Sequence, residues 1–141
     1  MEVREARTES ELTAALALRE RIFCGEQGVS FEADQDGRDP EATHIVAVDD
    51  GVVIGTCRLL FRGPVARLGR LAVERDRRGD GVGAEILGEA DRIATDAGSD
   101  SIALHAQTYA LPLYERAGYE TYGPTFVEEG IEHVAMEKHL A

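Results

Sequence analysis

The sequence predicts one domain of mixed α/β class, with helices packed on a central sheet. Three observations predict it. The chain has 141 residues, enough for one real core and too few for two. Hydrophobic residues make up 43%, which argues against disorder. The apolar spacing switches between the two-residue repeat of strands and the longer repeat of helices, in the order βα, a three-strand meander, then α, β, α, β, β. Residues 1–141 are expected to form this domain without repeat, low-complexity tract or linker.

Each element has a local reason. VREAR (3–7) reads as a first strand, and TESE (8–11) as a capping box in which Thr8 caps and Glu11 reaches back. Leu12, Leu16, Ile22 and Phe23 carry a helix to about Cys24. The acidic stretch 25–42 reads as a long functional loop with a short helical turn. THIVAV (43–48) and VVIGTCRLLF (52–61) are strands joined by Asp-Asp-Gly, a sequence that accepts positive φ cheaply. RGP (62–64) turns the chain into a third strand, 65–74. Val82, Ile86, Leu87, Ala90, Ile93, Ala94 and Ala97 mark one helix face over 81–97, and Gly98 ends it. SIALHAQ (101–107) is a strand, LPLYERAG (111–118) a short helix between proline and glycine, and YETYG and IEHVAMEKHL close the sheet.

Composition narrows the function. No apolar run reaches the roughly 18 residues of a membrane span, and the charged N-terminus lacks a signal-peptide core. The reading is a cytoplasmic protein with no membrane partner. Cys24 and Cys57 form neither a metal spacing nor a disulfide framework, and His44, His105, His133 and His139 are dispersed, so no metal is expected. In DQDGRD (34–39), Gly37 stands at the wrong loop position for calcium, and the segment reads as an acidic turn. The formal net charge is −12, and Lys138 is the only lysine among 15 basic residues. Such a balance disfavours nucleic acid and fits a salt-rich cytoplasm that screens self-repulsion. Against it, Arg67, Arg70, Arg75, Arg77 and Arg78 cluster in a way that suits an anion site.

RRGDGVGAEIL (77–87) explains that cluster. It follows a strand and opens a helix, where unpaired backbone N–H groups and the helix dipole favour phosphate. Gly79, Gly81 and Gly83 remove the β-carbons that would hold a pyrophosphate away. Ala84-Glu85 replace the Lys-Ser/Thr of a P-loop, and GxGxG after a meander is not the dinucleotide fingerprint. A third reading is an Arg-x-x-Gly-x-Gly cradle for the pyrophosphate of coenzyme A.

RLAVERDRRGDGVGAEIL followed by LPLYERAGYE resembles the GNAT superfamily of acyl-CoA-dependent N-acyltransferases, and RERIFCGEQGVSFEADQD, HAQTYALPLYERAGY and GIEHVAMEK resemble its ElaA-like branch. The resemblance covers nearly the whole chain. It implies a mixed, mostly antiparallel sheet of about seven strands, splayed in the middle, with helices on both faces. It also implies acetyl-CoA as co-substrate. Arg78, Gly81 and Gly83 match the signature, and the backbone of Gly79, Asp80, Gly81, Val82, Gly83 and Ala84 would hold the pyrophosphate. The edge of Leu71, Ala72 and Val73 would pair with the pantetheine arm, in room made by the strands 65–74 and 101–107 parting. Tyr114 matches the tyrosine beside the thioester sulfur, and Gln107 replaces a common asparagine.

The implied reaction moves an acetyl group from acetyl-CoA to a primary amine by direct attack in a ternary complex. A phenol, with an ordinary pKa of about 10, can hydrogen-bond or protonate a departing thiolate, whose thiol titrates near 8.5, and Tyr114 is the candidate. Glu26, Glu32 and His133 are candidates for the base that takes the amine proton, and a water relay would replace them. Arg58 and Arg70 are expected almost opposite each other, with a substrate carboxylate, Glu26 or Glu32 between them. The alternative is that they splay separately to solvent. A small-molecule or peptide amine is the expected partner, and monomer and homodimer both remain open. A non-catalytic acyl-CoA sensor on the same fold is the rival reading.

Overall fold

The computed structural model describes residues 1–140. Seven strands form one sheet: β1 (Glu2–Glu5), β2 (Thr43–Asp49), β3 (Val52–Arg62), β4 (Val65–Val73), β5 (Ser101–Gln107), β6 (Glu120–Glu128) and β7 (Ile131–His139). Four α-helices accompany it: α1 (Glu9–Glu20), α2 (Phe31–Asp34), α3 (Val82–Asp96) and α4 (Leu111–Arg116). Across the sheet the order is β1-β2-β3-β4-β5-β7-β6. Only β4 and β5 pair in parallel. The seven-strand mixed sheet expected from the sequence is the one observed.

Strand alternation divides the core between two faces. Ile45, Ala47, Cys57 and Leu59 pack with Ile86, Leu87, Ala90 and Ala94 of α3. Val46, Val53 and Ala72 meet Ala15, Leu18 and Ile22 on the opposite face. Gly55 sets how closely α3 lies on the sheet. A β-carbon there would stand 2.8 Å from Ile86 Cδ1 and 3.0 Å from Val82 Cγ1.

The caps follow the sequence. Glu11 N–H donates to Thr8 Oγ1 at 3.1 Å. Glu11 also accepts from Arg4 Nη2 at 2.6 Å and from the Arg7 N–H at 2.8 Å, and these bonds hold its carboxyl down at about 2. Asp50 and Gly51 both have positive φ, as the Asp-Gly hairpin requires. Gly98 ends α3 with φ +84°, and the Ser99 N–H closes on Ala94 O at 3.0 Å.

Three boundaries differ: β1 covers Glu2–Glu5 where 3–7 was expected, β6 runs past the expected YETYG to Glu128, and the first helix is shorter. The first helix was expected to reach Cys24, but α1 ends at Glu20 and continues as a π-helical turn over Arg21–Glu26. The Gln27 N–H reaches back five residues to Ile22 O at 3.1 Å. Widening the helix by one residue per turn shifts Glu26 and Gln27 relative to a straight α-helix. No helix among the described residues is long and apolar enough to cross a membrane.

Candidate active site

The site begins with a fault in the sheet. β3 and β4 pair regularly from Arg62↔Val65 to Arg58↔Gly69, then resume at Thr56↔Ala72. β4 therefore holds one residue more than β3 between those pairs, and Arg70 takes φ +57° to absorb it. Such a bulge turns the strand and re-aims its side chains and amides. On its other edge β4 pairs with β5 over only three residues, Val65↔Ser101, Ala66↔Ile102 and Arg67↔Ala103. Beyond them the strands part, leaving Leu71–Val73 without a strand partner on that edge.

The parted strands open a cleft of about 620 Å³. Leu71, Ala72, Val73, Arg78, Gln107 and Tyr114 line it on the side where the sequence places the cofactor. At its end the chain passes through Arg78 into α3. Gly79 and Gly81 have φ of +89° and +85°, which only glycine adopts without strain, and α3 starts at Val82. Among the described residues, the N–H groups of Gly79, Gly81, Val82, Gly83 and Ala84 have no acceptor, while Asp80 makes a long bond of 3.4 Å to Arg77 O. A row of free amides at a helix N-terminus and a bare strand edge suits a diphosphate with an extended amide-bearing tail.

The side chains around this frame are partly engaged. Arg78 donates from Nε to Val73 O at 3.1 Å and grips Glu26 with both terminal nitrogens, each at 3.0 Å. That fork lowers the pKa of Glu26. Gln107 Nε2 donates to Gln27 Oε1 at 2.7 Å, and Gln27 Nε2 to Tyr109 Oη at 3.3 Å. Tyr114, 8% exposed, packs edge-on against Tyr119 with ring centroids 6.0 Å apart. Burial, with Cys57 and Tyr109 nearby, raises its pKa, so the phenol keeps its proton across the working range.

His133 lines the cleft from β7 and is 7% exposed. Its Nδ1 lies 2.7 Å from Ile131 O, an acceptor, so Nδ1 carries the proton. Nε2 lies 3.8 Å from Glu128 Oε2, and the ring stacks on Phe126. Glu26 and Glu32 do not line the cleft, and Glu32 is exposed on α2.

The anion between Arg58 and Arg70 differs from the sequence expectation. Arg58 faces Gly69 because of the bulge, and neither Glu26 nor Glu32 reaches it. Asp36 occupies the place. It accepts from Arg58 Nη1 at 2.9 Å, contacts Arg58 Nη2, and lies 3.4 Å from Arg70 Nη2. Asp39 accepts from Arg58 Nη1 at 3.0 Å and from Arg19 at 2.8 and 2.7 Å. Asp34, 1% exposed, sits 3.1 Å from Arg19 Nε and 3.2 Å from Arg70 Nε. Three arginines and three aspartates thus neutralise one another and fasten the acidic loop to the sheet. Hydrogen bonding from Arg58 lowers the pKa of Asp36, and that from Arg19 lowers Asp39.

The loop-to-sheet distances hid this network from the sequence. One signal was present: Arg19 shares the helix face of Ala15, Leu18 and Ile22, where a buried guanidinium demands carboxylates.

The mixed seven-strand sheet with its helices has the fold of solved N-acyltransferases. The sequence model of the acetyltransferase (GNAT) domain matches residues 15–140. The chain belongs to the GNAT acetyltransferase family. It is 34% identical over 134 residues to a Bacillus subtilis protein described as uncharacterized N-acetyltransferase YjcF, covering 94% of this chain and 96% of that one. An acyl-CoA N-acyltransferase from Pseudomonas aeruginosa superposes with a TM-score of 0.87 at 26% identity, covering 98% and 99% of the two chains. Escherichia coli ElaA shares the fold, with a TM-score of 0.87 at 24% identity over 98% of this chain and 99% of its own.

Proposed function

We propose that this protein transfers the acetyl group of acetyl-CoA to a primary amine by direct attack in a ternary complex, as one domain spanning residues 1–141. The observation that carries the reading is the run of acceptor-free amides at Gly79–Ala84 beside the unpaired edge of β4. The Pseudomonas aeruginosa neighbour, an acyl-CoA N-acyltransferase by description, supports coenzyme A as the occupant. Arg78 and the amides of Gly79, Asp80, Gly81, Val82, Gly83 and Ala84 hold the pyrophosphate. Leu71, Ala72 and Val73 pair with the pantetheine arm, and Gln107 contacts it once released from Gln27.

Attack forms the N–C bond and breaks the C–S bond. His133 Nε2 takes the proton lost by nitrogen, because His133 lines the cleft and its Nδ1 is already engaged by Ile131 O. Glu26, held in the Arg78 fork with a lowered pKa, is the weaker base. Tyr114 hydrogen-bonds the departing thiolate, and its raised pKa keeps the donor protonated.

Thiol release from acetyl-CoA, measured across an amine panel, tests the reading. The enzyme reading expects amine-dependent release, and Tyr114→Phe should lower kcat about a hundredfold with little change in the KM for acetyl-CoA. Tight coenzyme A binding with no amine-dependent release would instead support a sensor.

A further inference from the structure

Arg67 is the exception to the charge pattern of this molecule. Twenty-seven acidic residues face 15 basic ones. Among the described residues, every arginine except Arg67 and Arg116 has a carboxylate oxygen within 4.0 Å. Arg116 is on the surface at the end of α4. Arg67, exposed as well, lines the cleft.

Strand alternation fixes where it points. Ala66 and Leu68 are buried in the core beneath α3, so Arg67 projects from the opposite face. It pairs across β3 with Leu60, which also lines the cleft, and across β5 with Ala103, whose side chain is too small to cover it. The carboxylate in the same row, Glu137, is one strand further on and contacts His139 at 3.5 Å instead. Arg67 also marks the last β4–β5 pair before the strands part, so it stands at the closed end of the opening. Arg58 and Arg70 line the same cleft, but Asp34, Asp36 and Asp39 already neutralise them.

Resting on the acetyl-transfer reading, we infer that Arg67 binds a carboxylate carried by the acceptor amine, and that the acceptor is an amino-carboxylate rather than a plain amine. The other end of the cleft complements this cation. Glu128, in contact with His105 Nδ1 at 3.2 Å and near His133 Nε2, presents negative charge where the amine arrives. His133 on β7 pairs with Gln107, four residues along β5 from the Ala103 that faces Arg67. At about 3.3 Å per strand residue, the two backbone positions are about 13 Å apart along the strand. The geometry favours an acceptor whose amine and carboxylate are separated by several bonds.

The test uses the whole chain with acetyl-CoA and two amines of equal length, 4-aminobutyrate and butylamine, at constant ionic strength. Thiol release gives kcat/KM for each, and calorimetry on the coenzyme A-loaded protein gives affinity without turnover. The wild type should favour 4-aminobutyrate at least tenfold in both measurements. Arg67→Gln should bring that ratio near one, and Arg67→Lys should restore part of it. Equal use of the two amines by the wild type overturns the inference, as does a preference that survives Arg67→Gln. Release with both amines but no preference leaves acetyl transfer standing and removes the Arg67 assignment. If no amine drives release, acetyl transfer fails and the calorimetric ratio alone decides on Arg67.

Discussion

The glycine turn at 78–84 and the acidic loop at 27–41 both border the same cleft, and they treat polar groups in opposite ways. The turn leaves backbone donors without acceptors. The loop cancels its charges internally, three aspartates against Arg19, Arg58 and Arg70. Unmet donors near solvent are open to a ligand. Charges paired inside the protein mark a brace, even though Asp34 Oδ1, Arg58 Nε and Arg70 Nε lack hydrogen-bond partners. The arginine pair that looked like a substrate clamp therefore holds the loop in place, and, among the described residues, the cleft arginine without a carboxylate partner is Arg67.

The sharpest way to break this contrast is to remove a buried carboxylate from the brace. Asp34→Ala removes the buried carboxylate beside Arg19 Nε and Arg70 Nε, leaving Arg19 to Asp39 and Arg70 to Asp36 alone, and should cost about 3 kcal/mol of folding stability, more than a hundredfold in the equilibrium. Urea unfolding measures it. A loss below about 0.5 kcal/mol would show that the network is ornamental.

The turn should fail differently. Gly81→Val forces a β-branched residue to φ +85° and puts a side chain on the phosphate path. Coenzyme A affinity should fall by about tenfold or more, by calorimetry on protein shown to be folded by circular dichroism. Unchanged affinity would move the pyrophosphate elsewhere.

Glu26 joins the two regions, because it reaches from the end of the π-helical turn to Arg78. A pyrophosphate must share or take over that arginine. Glu26→Gln should therefore tighten coenzyme A binding by about two- to fivefold, the worth of an exposed pair. Weaker binding in this variant would mean that Glu26 aids the cofactor.

The smallest effect is a pH slope. Asp36 has a depressed folded pKa, so its contribution is whole above its ordinary 3.8 and fades as pH falls through the lower folded value. The stability of the wild type should decline through this acidic window, and Asp36→Asn should decline less steeply and meet it at the acid end. Parallel curves would remove Asp36 from the linkage.

These regions also differed in how far the sequence disclosed them. Glycines at 79, 81 and 83 between a strand and a helix have a backbone meaning that survives without contacts, and Tyr114 sits in a motif of its own. The strand order of the meander followed from Asp50-Gly51 and Gly63-Pro64. The brace did not follow, because Arg19, Asp36 and Arg58 meet only after folding across long stretches of chain. Nor did the bulge, since its extra residue is an arginine at positive φ where a glycine would have announced it. Arg67 was legible as an outward position between Ala66 and Leu68, but its isolation from carboxylates is a property of the folded neighbourhood.

The most direct test of the central claim is amide NMR of the full chain during a coenzyme A titration. Saturation should shift the N–H resonances of Gly79, Gly81, Val82, Gly83 and Ala84 and slow their exchange with solvent, together with amides on the Leu71–Val73 edge. If those amides stay in place while coenzyme A binds, the turn is not its cradle and the acyl-transfer account of this cleft is wrong.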